Sequence, residues 1–304
     1  MHNNAVWTSP ELPESLQYGD MPGDVVSIDD RHLLIANRIF PALLDIVTAF
    51  GEQNTRTVLG VCGGSGVGKT EVSTLLSFHF TKMGVMSYTL SGDNYVRRIP
   101  KYNDAERLRI FREGGVHGLV RNGTYTSEHA AILRRLQGAE DDANPTNSEV
   151  YPWMSLYISQ GRKALEGYLG TPNEIDFILL SNIIDSFKDG DESIWLRRLG
   201  RDDTALWYDL VRFEHRHILI IEWTHANSGY LRGVDIPIVL HSTPQETLEH
   251  RKRRNRDAKA DSPFTAMVLE IEQQRLISQL PTAKLIVSKN GELMGSDDFM
   301  ESCQ

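Results

Sequence analysis

The eight residues Gly63-Gly64-Ser65-Gly66-Val67-Gly68-Lys69-Thr70 constrain this chain more than any other feature. They satisfy G-x-x-x-x-G-K-[ST] in full, after the apolar run Val58–Cys62 and before a helical pattern from about Lys69 to Lys82. Glycines let successive backbone N–H groups turn inward around phosphate oxygens, where side chains would block the approach. The helix that follows aims its N-terminal partial positive charge at the same anion. Lys69 is expected to reach the β- and γ-phosphates of a nucleoside triphosphate, and the Thr70 hydroxyl to hold Mg²⁺. The competing reading, a glycine turn that merely packs a strand on a helix, leaves Lys69 and Thr70 without a purpose. The loop alone does not separate a kinase from an ATPase motor, a GTPase switch or a binding-only regulatory module. No Asn-Lys-x-Asp of the kind that reads guanine is present.

Further strands are expected at Val85–Leu90, at HILIIE (217–222), at Ile236–Leu240 and at Lys284–Val287. Helical patterns lie between them, at 155–169, at 177–187, in PQETLEHRKRRNRD and in SPFTAMVLEIEQQRLISQL. Strands alternating with helices imply a parallel sheet with right-handed crossovers. Residues 99–175 read as a polar helical insertion with a loop near 138–149 and no parallel strand. Residues 1–25, rich in Pro and Gly, read as a loosely ordered arm. From Ser27 apolar residues recur at helical spacing, and Pro41 predicts a kink or two helices. The expected organisation is an N-terminal arm and helix over 1–50, then one domain over 51–304 with an insertion at about 99–175 and a lid at about 244–265.

Composition narrows the partners. Of 304 residues, 40% are hydrophobic and 24% charged, as in a globular protein. The net charge of −9 argues against nucleic acid as a bulk partner. Cys62 and Cys303 are too far apart to suggest a disulfide framework or a metal spacing, so a reducing, cytoplasmic setting is the expectation. No basic start with an apolar run marks a signal peptide, and no stretch was expected to approach the roughly 18 apolar residues of a membrane span. A small-molecule partner is expected, with homo-oligomerisation left open.

In an open α/β sheet, ligands bind beyond the carboxyl ends of the strands. Asp93, in TLSGDNYVRR, follows the second strand, and Glu222 ends HILIIE. Phosphoryl transfer needs charge neutralisation, an aligned acceptor and a group to receive its proton. One carboxylate suits that last task and another can orient Mg²⁺. Asp93 can equally be an Asx-turn residue, and Glu222 a helix-capping or ion-paired acid. Glu222 and His225 are three apart, but no further His or Cys nearby completes a transition-metal set. EHRKRRNRD (249–257) has the composition of a lid closing on phosphates, and also of a solvated helix face or a nucleic-acid patch. A second basic set, Arg97, Arg98, Lys101, Arg107, Arg109 and Arg112, suits an anionic acceptor or simple solubility.

From about Thr57 to Leu293 the chain resembles the uridine kinase and phosphoribulokinase group of P-loop kinases. The resemblance rests on GGSGVGKT, LSGDNY, EIDFILLSNIIDSFKDG, IIE at Glu222, RRNRD and PTAKLIVSKNGEL, in that order. It implies a three-layer α/β/α P-loop NTPase fold with a five-stranded parallel sheet in order 2-3-1-4-5. It further implies ATP and Mg²⁺ as cofactors and phosphoryl transfer to a hydroxyl of a nucleoside, sugar or sugar phosphate. Asp93 would be the general base, Glu222 would organise Mg²⁺ or the acceptor, and Arg253 and Arg256 would sit in the lid with Lys69 on the phosphates. Candidate acceptor contacts are Tyr95, Arg97, Arg98, Trp223 and His225. The family's Glu-Gly after the third core strand is here Glu222-Trp223, and Glu71 replaces a second hydroxyl after the loop. SGDNYVR also resembles the Asp-Gly-Asp-Asn-x-Arg run of adenylylsulfate kinases, and a non-catalytic nucleotide-sensing module is the rival of another class.

Overall fold

The computed structural model describes residues 9–13, 16, 18–24, 26–51, 56–200, 204–243, 245–248 and 262–295. Helix α1 (Asp30–Gly51) leads into β1 (Thr57–Gly63), the phosphate loop and α2 (Lys69–Lys82). Next come β2 (Met86–Ser91), a single 3₁₀ turn over Gly92–Tyr95, and the helices α3 (Pro100–Arg121), α4 (Ser127–Gly138), α5 (Asn147–Val150), α6 (Met154–Glu166) and α7 (Phe177–Lys188). The chain continues through β3 (Ser193–Leu199), β4 (Leu206–Arg212), β5 (Arg216–Glu222), β6 (Ile236–Leu240), α8 (Pro263–Gln279), β7 (Leu285–Val287) and β8 (Leu293–Met294).

The main sheet runs β2-β5-β1-β6-β7-β8, parallel throughout except for β8, which pairs antiparallel with β7. Its five parallel strands therefore follow the expected order 2-3-1-4-5, with one short strand added at the edge. β1 and β6 are buried along their whole length because helices cover both faces of the sheet. Alternation within β1 sends Leu59 and Val61 toward α1 and α2, and Val58 and Cys62 toward α7. A third cluster, built from α3, α4, α6 and α8 around Phe111, Leu133, Tyr157 and Ile271, gives the insertion a core of its own.

Three expectations need correction. α1 is one helix through Pro41 rather than two, because burial of Ile39, Phe40 and Leu43 against α2 and the sheet outweighs one lost backbone donor. By length and composition α1 is also long and apolar enough to cross a membrane, contrary to the expectation that no stretch approached this. Here it packs one face on the domain. The hairpin β3–β4, a separate two-stranded antiparallel sheet, was not foreseen. Buried Arg197 and Arg198 in β3 hide its alternation, since arginine at a core position reads as surface. The arginines of the expected lid, including Arg253 and Arg256, lie outside the described residues.

Candidate active site

Register brings the chemistry together. In the β1–β5 ladder Val61 pairs with Glu222, and in the β2–β5 ladder Ser91 pairs with Glu222. Glu222 therefore ends its strand between the start of the phosphate loop and the start of the Asp93 turn. Its Oε2 accepts from Thr70 Oγ1 at 3.1 Å and its Oε1 from Ser91 Oγ at 2.8 Å. Burial, then the nearby Asp93, pushes the Glu222 carboxyl up to about 8 against the opposing pull of Lys69 and Ser91. Such a carboxylate gains from a cation set against it.

Lys69 Nζ donates to the carbonyls of Gly63 and Gly64, each at 3.0 Å, so its ammonium lies folded across the loop. Gly68 has a φ of 101°, and a side chain there would meet the buried ring of His32 in α1 at 2.7 Å. Only glycine satisfies both the backbone and this close approach. The N-terminal helix is thus packed directly on the nucleotide loop.

A cavity of about 560 Å³ opens in front of these groups. Its wall includes Ser65, Gly66, Lys69, Thr70, Asp93, Glu222, Trp223 and His225 from the expected set. Asp93 is solvent-exposed on the 3₁₀ turn. Trp223 is only 3% exposed and packs on Phe177 and edge-on against His225. Gly92 makes room for it. Burial pushes the His225 imidazole down to about 4 in spite of Glu174, leaving a neutral ring in the wall. Among the described residues no group of three acids, histidines or cysteines forms a dedicated metal cage. The hard oxygens of Thr70 and Glu222 suit Mg²⁺ all the same, because that ion is held by one or two protein oxygens together with nucleotide phosphates.

Three expected acceptor residues are not on this wall. Tyr95 is fully buried in the core with Phe177 and Ile175. Arg97 donates to the Pro172 carbonyl and pairs with Asp176, and Arg98 pairs with Glu106. Three more arginines of the basic set are committed too. Arg109 pairs with Glu106 and Glu113, Arg112 binds Asp142, and Arg107 pairs with Glu174 at 2.7 Å and lies near Glu272 and Asp104. The side chains that were missed are Asn103, Asp104, Glu174 and Glu272, which line the cavity with Arg107. Burial pushes Glu174 up, but Arg107, His225 and the Gly170 amide outweigh it and hold the carboxyl below its usual range. Burial raises Glu272 despite Arg107. In sequence these acids sit among many others on polar helices. The one usable signal was Met21-Pro22-Gly23-Asp24, a turn sequence inside the supposed arm, whose Met21 and Asp24 also line the cavity.

The loop, the strand order and the register of Glu222 define a P-loop nucleotide-binding α/β protein. No family model matches the chain. Over 243 residues it is 37% identical to the bifunctional alpha-galactosidase/sucrose kinase AgaSK of Mediterraneibacter gnavus. That match covers 80% of this chain and 21% of the relative, so the chain spans about a fifth of the relative's length. Solved structures with similarity include a D-glycerate 3-kinase from Cryptococcus neoformans, at 13% identity and a TM-score of 0.47 over 88% of this chain and 98% of that one. Another is a protein described as a possible uridine kinase from Bacillus stearothermophilus, at 14% identity and a TM-score of 0.42 over 81% and 98% of the two chains.

Proposed function

We propose that this chain is an ATP- and Mg²⁺-dependent kinase that phosphorylates a hydroxyl of a neutral, hydroxyl-rich small molecule of the sugar class. The carrying observation is that one cavity is lined by the phosphate loop with Lys69 and Thr70, by Asp93 and Glu222, and by further carboxylates. At the loop end, Lys69, the loop amides and the N-terminus of α2 favour triphosphate. Among the described residues the wall as a whole carries seven acidic side chains against the two cations Lys69 and Arg107. Carboxylates and the Asn103 amide suit the vicinal hydroxyls of a polyol, while an acid-rich wall repels a sugar phosphate or adenylylsulfate. The name of the relative, a sucrose kinase, points to the same acceptor class.

In this reading Lys69 and the loop amides hold the γ-phosphate, and the Asp93 carboxylate receives the acceptor's hydroxyl proton. Thr70 and Glu222 would hold Mg²⁺, which when bound neutralises charge on the phosphates. We propose a cytoplasmic setting, where ATP is at hand. The test is ADP release with sucrose, other neutral sugars, nucleosides, sugar phosphates and adenylylsulfate. Stimulation by neutral sugars, with transfer of phosphate to the sugar, is expected. Tight ATP binding with no acceptor-stimulated ADP release would overturn the kinase reading in favour of a nucleotide-sensing module. Selective stimulation by a phosphorylated acceptor would overturn the neutral class alone.

A further inference from the structure

The segment that sequence reading treated as a loose arm enters the site twice. Asp20 is almost wholly out of water, with its side chain 7% exposed. Its Oδ1 accepts from the Ser91 amide at 2.7 Å and from Asn94 Nδ2 at 3.4 Å. The Tyr88 hydroxyl donates to its Oδ2 at 2.9 Å, and Arg198 pairs with that same oxygen at 3.0 Å. One carboxylate therefore grips the turn that carries Asp93 on both sides of it. Asn94 is fixed at its other end as well, because the Leu199 amide donates to its Oδ1 at 3.1 Å. Immediately beyond Asp20 the chain turns, with the Asp24 amide donating to the Met21 carbonyl at 3.3 Å, and delivers Met21 and Asp24 to the cavity wall.

The bonded link from these partners to the nucleotide loop is indirect, running from Ser91 Oγ through Glu222 to Thr70. The Asp20 contacts reach only β2, the Asp93 turn and the β3–β4 hairpin. Loss of the grip should therefore displace the base relative to the acceptor and leave the phosphate cradle as it is.

We propose that the N-terminal turn Asp20–Asp24 is a built part of the acceptor site, in which Asp20 is a positioning residue for the turn bearing Asp93 and Asp24 offers its carboxylate to the acceptor's hydroxyls. The roles in turnover rest on the kinase reading above; the grip on the turn does not.

The test compares Asp20→Asn and Asp24→Asn in the full chain by three measurements. These are ATP binding by calorimetry, acceptor-dependent kinetics with a neutral sugar, and backbone hydrogen exchange over residues 91–95. Asp20→Asn turns an amide nitrogen toward Arg198 or Ser91, so exchange over 91–95 should accelerate. Turnover should fall by about 10²-fold, the effect of roughly an ångström of misplacement, with ATP affinity unchanged. Asp24→Asn should raise the acceptor KM by about tenfold, the effect of one charge-assisted hydrogen bond, with kcat nearly unchanged. Wild-type exchange and kcat in Asp20→Asn overturn the positioning role, and a wild-type acceptor KM in Asp24→Asn overturns the contact. An equal fall in ATP affinity and kcat overturns selective positioning, since general loosening would do that. If the wild-type protein turns over no acceptor, the kinase reading and the turnover roles fall together, while accelerated exchange in Asp20→Asn supports the grip and unchanged exchange overturns it. Should Asp20→Asn fail to fold, Tyr88→Phe deletes one donor to Asp20 while keeping the ring packed on Phe213, and should accelerate the same exchange to a smaller extent.

Discussion

Gly92 and Trp223 form a pair whose disruption can be worked out from the structure. A Cβ at Gly92 would lie 2.6 Å from the Trp223 Cβ and closer still to the ring atoms Cγ and Cδ2. Ordinary carbon contacts are about 3.5–4.0 Å, so one of the two groups must move by about 1 Å or more. The indole cannot yield easily, since it is 3% exposed and wedged between Phe177 and His225. Gly92 has no positive φ, so alanine strains nothing in the backbone itself and the clash is the whole perturbation. Overpacking of this kind costs about 1–3 kcal/mol. The displaced atom sits one residue before Asp93, so the proposed base should move with it and turnover should fall by about 10²-fold. Trp223→Ala alone should cost about 3–5 kcal/mol by cavity formation. In the double variant the clashes with the ring atoms Cγ and Cδ2 are gone and only the 2.6 Å approach to the retained Cβ of residue 223 is left to relieve, so the two losses should be less than additive, by about 1 kcal/mol or more. Urea denaturation of the four proteins and acceptor-dependent kinetics measure both effects. Additive losses in stability, or wild-type turnover in Gly92→Ala, would refute the steric argument.

Other substitutions separate the roles of the carboxylates. Asp93→Asn should keep ATP affinity within about twofold and lower kcat by about 10²-fold or more; full turnover would remove Asp93 as the base. Glu222, raised to about 8 from 4.5, keeps a proton in the folded state that the unfolded chain has already released. Without nucleotide its contribution therefore falls away as pH rises from 4.5 through about 8. Glu222→Gln should flatten that slope in Tm, raising Tm relative to wild type above pH 8 and leaving it near wild type below 4.5; parallel curves of Tm against pH would contradict this. Glu174→Gln leaves the Arg107 guanidinium, only 16% exposed, without its nearest counter-charge. Calorimetric unfolding should show a loss of about 3 kcal/mol, since breaking a buried pair strands one charge.

The nucleotide half of the site was readable because its residues follow one another in sequence. Gly63 to Thr70 form a single local unit, and the alternation of buried strands and helices implied the parallel sheet around it, whose order came from the family resemblance. Glu222 could be chosen because a strand-end acid lands at the sheet's carboxyl edge whatever else the chain does. The acceptor half had no such unit. Glu174, Glu272, Asn103 and Asp20 come from four separate segments, and only the packing of α3, α8 and the N-terminal turn unites them. Tyr95, Arg97 and Arg98 were drawn in by closeness to Asp93 in sequence. Yet a 3₁₀ turn points successive side chains different ways, and here Tyr95 goes to the core while the two arginines after it reach Asp176 and Glu106.

The charge on the cavity wall bears on the end of the reaction as well as its start. A neutral acceptor enters an acid-rich chamber at little electrostatic cost, since its hydroxyls donate to carboxylates. After transfer the same molecule carries a phosphate dianion in a cavity whose wall includes Asp93 and Asp24. At about 8 Å and an effective dielectric constant of about 20, each like unit-charge pair costs about 2 kcal/mol before screening. Lys69, folded across the loop on the Gly63 and Gly64 carbonyls, offsets only part of this. The phosphorylated product should therefore bind at least about tenfold more weakly than the acceptor, and raised ionic strength should narrow that gap because salt screens the repulsion. Product inhibition measured against acceptor at two salt concentrations tests this directly. A product that binds as tightly as the acceptor at low salt would mean that the carboxylates are compensated by cations, and would remove the electrostatic ground for a neutral acceptor.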